Sequence, residues 1–107
     1  MYKLNFFVPE SHLDSVKRAL FDAGAGHIGD YDSCCWQTLG IGQFRGLEGS
    51  NPFIGNSPGN EGGIEQFPEY KVELVVADDC IRDVVAALKA AHPYEEPAYD
   101  VIRLESF

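Results

Sequence analysis

Basic side chains are scarce in this chain: eight lysines and arginines stand against seventeen aspartates and glutamates, a formal charge of −9 over 107 residues. So acidic a surface repels phosphate backbones and anionic headgroups, which argues against nucleic acid and membrane surfaces as partners. Cysteine is sparse too. The three present are odd in number and two are adjacent, Cys34 and Cys35, so they form no disulfide framework and suit a reducing cytoplasm. No apolar run approaches the roughly twenty residues that span a bilayer. Met1 to Pro9 lacks the basic leader, hydrophobic stretch and cleavage site of a signal peptide. A cytoplasmic globular protein is the expectation. At 45% apolar and 23% charged residues the chain can build a core, and 107 residues suffice for one domain but not for two.

Tyr2, Leu4, Phe6 and Val8 alternate with Lys3, Asn5 and Phe7, the period of a half-buried strand, and Pro9 stops it. Ser11-x-x-Asp14 reads as a capping box for a helix whose apolar face is Leu13, Val16, Leu20 and Ala23. Gly24 and Gly26 suit its termination. Tyr31 to Leu39 looks extended. Residues 40–63 carry most of the glycine with Pro52 and Pro58, a long excursion with room for short hairpin strands near Gln43 to Leu47 and Ile64 to Phe67. Tyr70 to Ala77 is the clearest strand. Asp78 or Asp79 can cap the next helix, whose stripe is Ile81, Val84, Val85 and Leu88. Pro93 and Pro97 then end that helix near His92 and release a last strand from Tyr99 to Leu104.

Two strand-helix-strand units are most simply accommodated in one antiparallel sheet with both helices on one face, an α+β ferredoxin-like sandwich. The other face is left bare. Phe7, Val75 and Val101 are expected there, and a partly apolar bare face predicts a homo-oligomer.

Two clusters could carry chemistry. His27, Asp30, Asp32, Cys34 and Cys35 supply ligand types that suit zinc or copper, with His92 a further candidate. Adjacent strand residues point to opposite faces, so one packed and one solvated cysteine is the simpler reading of Cys34 and Cys35. His92, Glu95, Glu96 and Asp100 could serve acid–base work or hold a cation, yet a histidine at a helix carboxyl end and glutamates on a turn also arise for purely structural reasons. Gly24 to Gly29 mimics a phosphate loop in reversed context, closing a helix instead of opening one. Cys80, near a helix start, reads as a structural thiol.

Four segments together resemble a known module: Gly24-Ala25-Gly26-His27-Ile28-Gly29-Asp30-Tyr31-Asp32-Ser33-Cys34, Gly40-Ile41-Gly42-Gln43-Phe44-Arg45, Asn51-Pro52-Phe53-Ile54-Gly55 and His92-Pro93-Tyr94-Glu95-Glu96-Pro97-Ala98-Tyr99-Asp100-Val101. They look like the YqfO-type domain, found inserted in some Nif-three-like dinuclear-metal-centre proteins and also as a short protein by itself. The resemblance implies a PII/CutA-like fold, typically trimeric, in which residues 40–63 correspond to a signalling loop. It also implies that the metal-holding core of the larger proteins lies in a flanking domain, so no cyclohydrolase activity and no resident cofactor is expected here.

The expectation is therefore a non-enzymatic, regulatory module that binds a small ligand or a protein partner. Phe44, Arg45, Asn51 and Phe53 on the glycine-rich stretch and Tyr94, Glu95 and Glu96 at the junction are the candidate contacts. Glycines let a backbone approach a ligand closely, and the aromatic and charged groups orient it. Divalent metal binding through His27, Cys34, Cys35 or His92 is the alternative, and an enzyme acting through His92 and Glu95 a third reading.

Overall fold

Alternate residues of the first strand point inward as their period requires: Leu4, Phe6 and Val8 are fully buried. The structure, a computed structural model, describes residues 1–53 and 63–107. Its elements in chain order are β1 (Tyr2–Val8), α1 (Glu10–Asp22), β2 (Trp36–Arg45), β3 (Ile64–Val76), α2 (Ile81–Ala91) and β4 (Tyr99–Arg103). The strands form one antiparallel sheet in the order β2-β3-β1-β4. Each strand-helix-strand unit therefore skips over one strand of the other unit. Leu13, Val16 and Leu20 of α1 and Val84 and Leu88 of α2 join Leu4, Phe6, Val8, Val72, Leu74 and Val76 in a single core, so both helices cover the same face. Each such side chain contributes about 1.5–3 kcal/mol relative to exposure.

Several element boundaries differ from expectation. No capping box forms at Ser11. The helix begins two residues earlier than a Ser11 cap would set it, at Glu10, with Pro9 as its cap and no side-chain cap bond, because the chain turns helical directly behind the proline. Ser11 Oγ instead meets His12 Nδ1 at 2.9 Å. Neither Asp78 nor Asp79 caps α2. A turn closed by the Cys80 N–H on the Ala77 carbonyl (3.0 Å) holds both aspartates ahead of the cap position, which Cys80 takes.

The larger difference lies in β2 and β3. Ser33 has φ 57°, which breaks the extended run expected from Tyr31. Extension starts only at Trp36 and then continues through Gly40 and Gly42 to Arg45. Opposite it, β3 is one strand from Ile64, paired from Trp36↔Glu73 to Arg45↔Ile64, not a short hairpin strand followed by a separate one. Of β3, only Tyr70–Val76 pairs with β1, so Ile64–Glu69 and their β2 partners form a two-stranded ribbon beyond the sheet. Pro68 is tolerated there because its free edge meets no strand. The excursion thus shrinks to residues 46–63. Its Ile54, Gly55, Asn56, Ser57, Pro58 and Asn60 lie outside the described residues.

The bare sheet face is more polar than expected. Lys3 pairs with Glu73 at 2.9 Å, and Asn5 Nδ2 donates to Asp100 Oδ1 at 2.8 Å. The Lys3 ammonium, by hydrogen bond and by charge, holds the Glu73 carboxyl below its usual range. Phe7 and Val75 sit on this face, but Val101 does not. It pairs with Leu4 on the helix side, and Ile102, opposite Lys3, takes the bare-face position. The alternation in β4 is one residue out of step with the expectation.

At the carboxyl end of α1, the Ala25 N–H returns to the Leu20 carbonyl (3.0 Å) and the Gly26 N–H to Val75 (2.8 Å), which ties the helix exit to β3. Gly26 has φ 78°, and a Cβ there would stand 2.8 Å from the Cys34 carbonyl oxygen, so glycine is required on both counts.

Candidate functional site

The proline junction does what its stiffness predicts. α2 ends at Ala91, His92 is extended, and the chain crosses the end of β1 to start β4 at Tyr99. His92 is the fastening. Its Nε2 lies 2.6 Å from the Phe7 carbonyl, which can only accept, so Nε2 carries the proton. Nδ1 accepts the Tyr94 backbone N–H at 3.1 Å. Burial lowers the His92 pKa, the Phe7 carbonyl offsets part of that, and the charge of His12 lowers it further. The ring is neutral, with both nitrogens committed to backbone.

Tyr94 is the hub of the site. Its ring lies 4.7 Å from His92, 6.2 Å from Phe53 and 6.2 Å from Phe67, centroid to centroid. Phe67 meets Phe44 at 5.9 Å across the ribbon, and Phe53 meets His12 of α1 at 5.3 Å, edge to face. The Asn51 N–H donates to Glu95 Oε2 at 3.1 Å, joining the glycine-rich stretch to the junction. These contacts frame a cavity of about 410 Å³.

Of the seven candidate contacts, Phe44, Arg45, Phe53, Tyr94, Glu95 and Glu96 all line this cavity, and Asn51 reaches it through its bond to Glu95. Phe67 and Glu69 are among the lining residues that sequence reasoning missed, and they come from a strand it did not connect to the site. Their signal was the alternation of Phe67, Glu69 and Lys71, legible only if the strand is extended backwards through Pro68. Burial raises the Glu69 carboxyl pKa, with the Tyr94 hydroxyl opposing, and Tyr94 is itself pushed up by burial and by Glu69. The Tyr94 hydroxyl oxygen is shielded from solvent without a well-formed hydrogen bond.

Gly42 makes room for Glu69. A Cβ at Gly42 would lie 2.4 Å from Glu69 Oε1 and 2.9 Å from Phe67 Cζ, both movable side-chain ends. Gly42→Ala is therefore expected to fold, at a cost of about 1 kcal/mol, while swinging Glu69 and Phe67 out of place. NMR should show the changes at Phe67 and Tyr94 with the melting temperature lowered by only about 4–8 °C; unshifted Phe67 and Tyr94 signals would contradict this packing.

The metal candidates are not brought together. His27 and Cys35 are exposed, and the Cys34 thiol faces the Asp32 carbonyl at 3.6 Å. Cys34 and Cys35 line a shallow depression beside Lys3 and Glu73, whereas His92 binds Phe7, four residues along β1 or roughly 13 Å away. Among the described residues no group of three or more His, Cys, Asp or Glu side chains is placed to hold a metal ion. Asp100 is turned to Asn5 on the sheet face, away from His92. All three cysteines are free, and Asp79, accepting from the Cys80 thiol at 3.4 Å, raises its pKa, the opposite of an activated thiol.

No protein-family model matches the chain. Its fold is shared with solved structures: the PII-like protein CutA from Nostoc superposes with a TM-score of 0.68 over 98% of this chain and 82% of its own, at 15% identity. The molecule thus has an α+β, ferredoxin-like fold of the PII/CutA type. A Bacillus cereus protein related to NIF3 matches more closely, with a TM-score of 0.81 and 39% identity over 98% of this chain but 26% of that one. The GTP cyclohydrolase 1 type 2 homolog of Halalkalibacterium halodurans is 48% identical over 104 residues, 97% of this chain and 27% of that protein. The chain is a homologue of the NIF3-related insert region and spans about a quarter of the length of the curated relatives it matches.

Proposed function

We propose that the chain is a non-enzymatic PII/CutA-like regulatory module that assembles with copies of itself and binds a small ligand in the cavity around Tyr94. One observation carries this reading: side chains from two distant stretches of sequence, 44–53 and 94–96, converge on a single space. Such a space, walled by aromatic rings with charged side chains set among them, suits a small molecule that both can orient. Gly46, Leu47, Ser50, Pro52 and Phe53, which line it, belong to the stretch 40–63 that the resemblance equates with a signalling loop, so occupancy can be passed to a partner. The 107 residues act as one domain in this reading, and three free thiols fit a cytoplasmic setting.

Self-assembly has separate support. Trp36 is 68% exposed and Ile102 49% on the side without helices, around the paired polar groups. The resemblance to PII/CutA-like modules implies a trimer. Sedimentation at micromolar concentration is expected to give three times the 11.8 kDa chain mass. An NMR fragment screen is expected to cluster its perturbations at Phe44, Phe53, Phe67 and Tyr94. A monomer at all concentrations, or perturbations confined to other surfaces, would remove the reading.

A further inference from the structure

The walls of the Tyr94 cavity are lopsided in charge. Glu69, Glu95 and Glu96 line it against one guanidinium, Arg45. Arg45, Glu95 and Glu96 are exposed, whereas Glu69 is half-buried. The rings of Phe53, Phe67 and Tyr94, in contact with one another, line the same space. We propose that this cavity selects a small organic cation with a flat apolar body and N–H donors, of the amidinium or guanidinium class. The proposal rests on reading the cavity as a ligand site.

Three physical terms favour that class. Aromatic faces attract a cation within about 6 Å of the centroid, and the attraction grows as water is excluded. A planar pair of N–H donors matches a carboxylate with two parallel charge-assisted bonds. Glu69 is half-buried with no cationic side chain paired to it among the described residues, and the neighbouring Tyr94 hydroxyl, which leans on Glu69, is shielded from solvent without a well-formed hydrogen bond, so donors arriving here replace lost hydration at both groups. A phosphate or carboxylate ligand would meet three like charges in the same space, inside a protein whose formal charge is −9. The volume, about 410 Å³, lies within the roughly 300–1,000 Å³ of small-molecule sites.

The test uses three isosteric probes on the full chain: benzamidine, benzamide and benzoate, titrated by NMR. Benzamidine is expected to shift the Phe67 and Tyr94 signals saturably, with affinity at least about tenfold above the other two. Glu69→Gln and Glu95→Gln should each weaken it about threefold or more, while Asp83→Asn, the same charge change on α2 away from the cavity, should not. Melting curves check that each variant folds, and Tyr94→Phe supplies a milder probe of the same wall. Equal binding of all three probes, preference for benzoate, or benzamidine binding indifferent to both glutamate substitutions overturns the cation assignment while leaving a ligand cavity in place. No saturable shift at these rings with any probe overturns the assignment as well, and the fragment screen then decides the cavity separately.

Discussion

Phe6→Ala is expected to destabilise the protein by about 3–5 kcal/mol, a large part of the roughly 5–15 kcal/mol that holds a domain folded. Phe6 is fully buried and is among the largest side chains in the core. It pairs with Val72 of β3 on one side and Tyr99 of β4 on the other, so the void opens where the two halves of the chain meet. α1, α2 and three strands converge on the same cluster, and none can move inward without abandoning its register. Urea unfolding followed by circular dichroism measures the loss. A change below about 1 kcal/mol would mean that β1 is not the centre of the sheet.

Replacing His92 by alanine is the second large effect, about 2–4 kcal/mol. Two backbone groups lose their partners together, the Phe7 carbonyl and the Tyr94 N–H. The junction should loosen, and with it the ring contacts of Tyr94. The same geometry sets a pH dependence. The folded-state pKa of His92 is lowered, first by burial, so the unfolded chain binds more protons around its ordinary value of about 6.5. Stability is therefore full above that value and is lost as pH falls through it. A proton on Nδ1 would face the Tyr94 N–H, which sharpens the penalty. Glu69 acts in the opposite sense at lower pH, since a raised carboxyl pKa removes stability as pH rises through it. Melting temperature measured between pH 5 and pH 7.5 should rise with pH in the wild type and flatten in His92→Ala. A wild-type profile that falls with pH would refute the assignment of His92 as a buried neutral ring.

Much of the cavity was legible from residue type. Tyr94, Glu95 and Glu96 stood out because two prolines allow the junction one path, and Phe44 and Phe53 because aromatic groups are conspicuous in a glycine-rich stretch. Phe67 and Glu69 were not legible. Pro68 between them reads as a strand breaker, and only a ribbon with one free edge makes it harmless. The capping signals failed for a related reason: Ser11, Asp78 and Asp79 are good caps in isolation, but the chain entered each helix one or two residues away from where they could serve.

Local chemistry alone determined that there would be two amphipathic helices and a sheet of alternating strands, that α2 would stop at the prolines, and that the surface would be acidic. These features arise from backbone sterics, side-chain period and charge, which act over a few residues. Tertiary structure decided the length of β2 and β3, the face on which Val101 lies, and the meeting of Phe44, Phe53 and Glu69 around Tyr94. Those depend on pairing between segments far apart in the chain, where register is settled by which whole face the core can bury, and no local pattern contains that choice.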